Sequence, residues 1–100
     1  MDKINVKNTN NKLLFDLYSV GKNIGYVTKS KGKYYPHKTR IDKIIRNSDI
    51  EVFIIDNNKY IDINGIKTFI TFSHSEKTTE FINWLRENID KDLKNYYENN

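Results

Sequence analysis

Eight basic side chains fall between Gly21 and Asn47: Lys22, Lys29, Lys31, Lys33, Lys38, Arg40, Lys43 and Arg46. Asp42 is the only acid among them, so the stretch carries +7. The whole chain is +4, which leaves −3 for everything else. Lys and Arg neutralise phosphates and release the counterions condensed on nucleic acid. Lys29, Lys31 and Lys33 alternate with the small residues Ser30 and Gly32, and Tyr34 and Tyr35 follow. Lys38 comes next, then Arg40, Lys43, Arg46 and Asn47, at spacings that the wet face of one helix can present. Tyr hydroxyls and helix N-terminal amides add phosphate hydrogen bonds, while Arg suits guanine and Asn adenine in a major groove. The candidate nucleic-acid-binding set is therefore Lys29, Lys31, Lys33, Tyr34, Tyr35, Lys38, Arg40, Lys43, Arg46 and Asn47.

A plainer reading competes. Asn, Ile and Lys each occur 14 times while Ala and Gln are absent, the mark of an AT-rich coding sequence. Such drift swells any solvated surface with Lys. It would also spread Lys evenly, and the +7 against −3 partition is uneven. An anionic partner accounts for it better.

Other chemistries find little footing. Gly21-Lys22 lacks the upstream glycine spacing of a phosphate-binding loop. Asp16, Asp56 and Asp62 follow no metal-ligand spacing and read as caps and turns. With no Cys, and His37 and His74 as the only histidines, a zinc site or thiol chemistry is hard to build. His37, beside Pro36, reads as a surface side chain in reach of a phosphate, and His74 as a helix-entry residue. No enzyme, metal or cofactor is expected. No apolar run approaches the ~20 residues of a membrane span and no signal peptide opens the chain, so a soluble intracellular protein is expected.

The elements that must position the basic set follow from periodicity. Lys3–Lys7 alternates, with Ile4 and Val6 on one side, Asn8–Asn11 supplies turn residues, and Lys12–Asp16 continues as a second strand. A short helix follows from Asp16 as N-cap to Gly25 as C-terminal cap, with Leu17, Val20 and Ile24 inward. Val27–His37, holding Gly32 and Pro36, reads as a loop. In it one of Tyr34 and Tyr35 is expected to anchor in the core. Lys38–Asn47 reads as a helix with Ile41, Ile44 and Ile45 buried. Glu51–Ile55 and Lys59–Ile63 read as strands around the turn Asp56-Asn57-Asn58, and Ile66, Phe69 and Ile70 as a short helix. The longest helix is expected from Glu76, capped by Ser75, to about Tyr97, with Phe81, Leu85, Ile89, Leu93 and Tyr97 recurring every fourth residue. The fold class is α+β: a small antiparallel sheet with about four helices in a single domain spanning residues 1–100, with core enough for its size.

From Ile61 onward the chain reads Ile61-Asp62-Ile63-Asn64-Gly65-Ile66, then Phe69-Ile70, Ser73, Phe81 and Trp84-Leu85. This resembles the second half of the BRO N-terminal domain of large DNA viruses and phage antirepressors. Val20-Gly21-Lys22-Asn23-Ile24-Gly25-Tyr26 is similar, more loosely, to that family's short helix ending in Leu-Gly-Tyr, and Lys38–Ile45 to its basic helix. Departures are the longer stretch Val27–His37, the missing Pro after the last helix, an opening strand reduced to Leu13-Leu14-Phe15, and no counterpart to the family's variable C-terminal region. The matched residues read as structural: Phe81, Trp84 and Leu85 would pack the last helix on the sheet. Gly65 sits where a side chain would crowd, and Ser73 caps or turns.

The resemblance implies a viral or phage-like DNA-binding domain in transcriptional control, acting in host cytoplasm or nucleus. On the residues themselves nucleic acid is the expected partner, and with the resemblance it is expected to be double-stranded DNA. The Asp16–Ile24 helix would support Lys38–Asn47 as in a helix-turn-helix pair, with the basic loop as a wing. Two alternatives stay open. One is a protein-interaction module that sequesters another regulator or forms a homodimer through Tyr96 and Tyr97. The other is single-stranded nucleic acid stacked on Tyr34 and Tyr35.

Overall fold

In a computed structural model of the chain, residues 3–73 and 76–88 are described here. The order of elements is β1 (Val6–Thr9), β2 (Lys12–Asp16), α1 (Leu17–Ile24), β3 (Val27–Ser30), β4 (Lys33–Pro36), α2 (Lys38–Arg46), β5 (Phe53–Ile55), β6 (Asn58–Ile61), α3 (Ile63–Ile70) and α4 (Glu76–Asn88). β1-β2-β6-β5 form an antiparallel four-stranded sheet, and β3-β4 a separate two-stranded one. The fold is α+β.

Three hairpins share one device. Each closes through two residues with left-handed backbone: Asn10-Asn11 (φ 51° and 61°), Lys31-Gly32 (50° and 78°) and Asp56-Asn57 (50° and 66°). That geometry matches the twist of the flanking strands, and Asn, Asp and Gly adopt it at least cost. It corrects the first strand, expected at Lys3–Lys7: pairing runs Val6↔Phe15 to Thr9↔Lys12, so Asn8 belongs to the strand and the turn is shorter. It also corrects Val27–His37, which is a hairpin paired from Val27↔Pro36 to Ser30↔Lys33 rather than a loop.

The helix punctuation is as the residues dictate. Asp16 Oδ1 accepts the Ser19 N–H at 2.9 Å, and Gly25 at φ 116° closes α1 through its N–H to the Gly21 and Lys22 carbonyls. Asp62 repeats the capping at α3, accepting from Gly65 N–H at 2.9 Å. A Cβ on Gly65 would lie 3.0 Å from Ile61 Cβ and 3.2 Å from Ile50 Cγ2, so a side chain there fits only if these neighbours give by a few tenths of an ångström. The expected end of the last helix near Tyr97, its Ser75 cap, and His74, Ile89, Leu93, Tyr96 and Tyr97 lie outside the described residues.

α1 is the hub of the core. Leu17, Val20 and Ile24 are fully buried with Phe15, Ile41, Ile61, Ile66, Phe69 and Phe81 in one cluster. α4 packs through Phe81 chiefly against α1, not against the sheet as the aromatic spacing suggested. α2 crosses α1 at Gly21, where an added Cβ would come within 2.4 Å of Ile41 Cδ1. Ile41 is the one fully buried residue of α2, with Ile44 and Ile45 half-buried beside it. This close approach leaves the other face of α2 in solvent, and that face is the basic one.

Candidate nucleic-acid interface

The β3–β4 hairpin carries its cations on both faces. Lys29 lies opposite Tyr34 on one face, with its Nζ 5.6 Å from the ring centre. Lys77, from the first turn of α4, approaches the same ring at 5.5 Å. Tyr35 pairs with Thr28 and Lys33 with Ser30 on the other face. Lys31 stands at the tip, in the left-handed backbone that lysine adopts only at a cost of order 1 kcal/mol. Tyr34 is 51% exposed and Tyr35 49%, so neither anchors in the core, contrary to expectation. A two-stranded ribbon with both faces wet has no core side to offer them. The anchor is Tyr26, buried, its hydroxyl donating to the Phe72 carbonyl at 2.8 Å and its ring edge-on to Phe69.

At the end of the hairpin, the His37 N–H donates to the Tyr26 carbonyl at 2.9 Å and α2 begins. His37 is not a free surface side chain: its Nδ1 accepts the Arg40 N–H at 3.2 Å as the N-cap. Arg40, Lys43, Arg46 and Asn47 are all exposed, and Lys43 and Arg46 complement the C-terminal end of the helix dipole. The Arg40 guanidinium lies 4.9 Å over the Tyr26 ring. Lys38 is placed differently, 5.1 Å over the Tyr18 ring of α1.

Two shallow depressions meet at Arg40, Tyr26 and Phe72. One, of about 520 Å³, reaches Lys43, Ile44 and Asn47. Its neighbour, of about 590 Å³, reaches Lys77 and Glu76. The fold thus brings Arg40, Lys43 and Asn47 together in a groove, and Lys77 joins that groove to the Lys29–Tyr34 face of the hairpin. Lys31, Lys33, Tyr35 and Arg46 are exposed but line neither depression, and Lys38 sits with Tyr18. Sequence reasoning missed Lys77 and Phe72. Lys77 had a signal, being a cation in a first helical turn where the dipole disfavours it. Phe72, three residues after Phe69, reads as one more core residue until its 47% exposure is seen.

Asp42, the lone acid of the basic segment, has a structural task. It accepts the Tyr18 hydroxyl at 2.7 Å and lies 3.5 Å from Lys59 Nζ of β6, tying α2 to α1 and the sheet. Burial, then the hydrogen bond to Asp42, raises the Tyr18 hydroxyl above its ordinary pKa. Lys59 is raised chiefly by its hydrogen bond with Tyr18. A phenol whose folded pKa is raised stabilises the fold fully below its unfolded value near 10, and loses that contribution as pH climbs through the folded value. Tyr18→Phe is expected to cost about 1 kcal/mol at pH 7, a typical hydrogen-bond contribution. In urea melts of both proteins, the difference should shrink steadily above pH 10; a difference independent of pH would exclude this role.

Among the described residues no three His, Asp or Glu side chains gather as a metal site, and no helix is long and apolar enough to cross a membrane. Compared with known proteins, the chain matches no family model, and no curated protein or solved structure gives a significant match.

Proposed function

We propose that this chain is a DNA-binding domain that holds duplex DNA through the β3–β4 hairpin and the exposed face of α2, in a transcriptional-control role of the viral or phage kind implied by its likeness to the BRO N-terminal domain. One observation carries the reading. The segment with +7 charge folds largely as a two-stranded hairpin and a helix with one basic, solvent-exposed face, and Lys29, Lys31, Lys33, Arg40, Lys43 and Arg46 are all exposed. A rigid cylinder with regularly spaced phosphates suits that display, with α2 offering Arg40 and Asn47 to base edges and the hairpin acting as a wing. The domain would work inside the infected cell, where duplex DNA is met.

The test is fluorescence-anisotropy binding of a mixed-sequence duplex and its matching single strand over a range of salt. Duplex preference is expected, with log affinity falling against log salt at a slope of about −5 to −7, as six to eight neutralised phosphates dictate. Absence of binding at low salt sinks the reading.

A single-stranded ligand is favoured by one specific feature, the half-exposed Tyr34 and Tyr35 rings. In that case Tyr→Ala at either position weakens binding with little change in salt slope.

A further inference from the structure

The groove along α2, bordered on its other side by Phe72 and Lys77, has a property that phosphate binding does not use. Its cations are Lys43 in one depression, Lys77 beside Glu76 in the other, and Arg40 where the two meet, and they border an aromatic ring that is half in solvent. The Phe72 backbone is held by Tyr26, whose own ring lies under Arg40, so the ring is presented from a fixed base. Lys77 links the groove to the hairpin, since it borders the groove and its Nζ lies 5.5 Å from the Tyr34 ring centre.

We propose that the groove around Phe72 receives an unpaired nucleotide, its base against the Phe72 ring and its flanking phosphates on Arg40, Lys43 and Lys77. Every base has a π-face, so this contact recognises unpairing rather than sequence. Paired bases within a duplex are already stacked on their neighbours and cannot occupy it without being turned out. The protein therefore distinguishes frayed, overhanging or opened DNA from a closed duplex. An acidic peptide is a poorer fit, because the cationic surface runs on past both ends of the groove, into the hairpin and along α2. The proposal rests on the nucleic-acid reading above.

The experiment uses the full chain and three DNAs sharing one duplex: blunt-ended, with an overhang of about three nucleotides, and with an abasic overhang of equal length. The overhang is expected to bind about tenfold tighter than the blunt duplex, the effect of one stacked base. The abasic overhang, which keeps the phosphates, should return to the blunt value within about twofold. Phe72→Ala should bring the overhang DNA to the blunt-duplex affinity measured on the same variant, with the salt slope for both unchanged. Should that variant fail to fold, the abasic arm decides alone. Equal binding of blunt and overhang DNA by the wild type overturns this proposal only, and so does an equal loss on both DNAs in Phe72→Ala. Failure to bind any of the three overturns the nucleic-acid reading itself.

Discussion

Replacing Lys31, Lys33, Arg40 and Lys43 together with Gln is expected to abolish measurable duplex binding at moderate salt. The size of the effect follows from counterion release. Each phosphate contact contributes about 0.9 to the log–log salt slope, so four lost contacts remove about 3.6 from it. At about 0.1 M salt the same arithmetic lowers affinity by roughly 10³–10⁴. All four side chains are exposed, so the fold should survive, with stability changed by about 0.5 kcal/mol or less at Lys31, Lys33 and Lys43 and by about 1 kcal/mol at Arg40, whose guanidinium over the Tyr26 ring is lost. The pair of measurements is anisotropy and thermal melting. Unchanged affinity in a folded variant would remove the hairpin and α2 from the interface.

Phe69→Ala is expected to cost about 3–5 kcal/mol, the largest effect of any single truncation proposed here. Phe69 is fully buried and meets Tyr26 edge-on, with ring centres 5.6 Å apart at 83°. Its loss opens a cavity beneath α3 and removes the side support of Tyr26, whose hydroxyl fixes Phe72. In a domain of this size each kcal/mol shifts Tm by about 4–8 °C, so a fall of at least ~12 °C is expected. Phe69→Leu, which keeps most of the volume, should cost less than half as much. Calorimetry of the two variants checks this, and similar melting points for both would show that the site tolerates collapse.

Much of the scaffold was legible because its signals are local. Asp16 before Leu17 and Gly25 after Ile24 bracket α1 by capping chemistry alone, and Ile41 with Ile44 and Ile45 marks the inner face of α2. The β3–β4 hairpin was not legible, since strand recognition relies on one apolar face and this ribbon has none: Lys29, Tyr34 and Tyr35 are all exposed. Its Lys31-Gly32 turn is disguised by a lysine in a conformation that Asn or Gly usually fills. The helical and hairpin parts of the basic surface could be named in advance, because charge density needs no fold. Lys77 and Phe72 could not, since only the packing of α4 beside the hairpin and of Tyr26 under Arg40 brings them to it.

The four-stranded sheet is two hairpins joined along a short seam, where β2 meets β6 only at Phe15↔Ile61 and Asp16↔Tyr60. This sets an order of assembly. Each hairpin closes within its own few residues on a timescale of about 1–10 μs, whereas the seam must close the intervening chain as a loop. During synthesis, at about 5–20 residues per second, the basic segment is complete before β6 exists to seal the core beneath it. The nascent chain therefore shows its positive surface before it has a finished fold. Formation of the seam is the step at which that surface acquires a fixed shape.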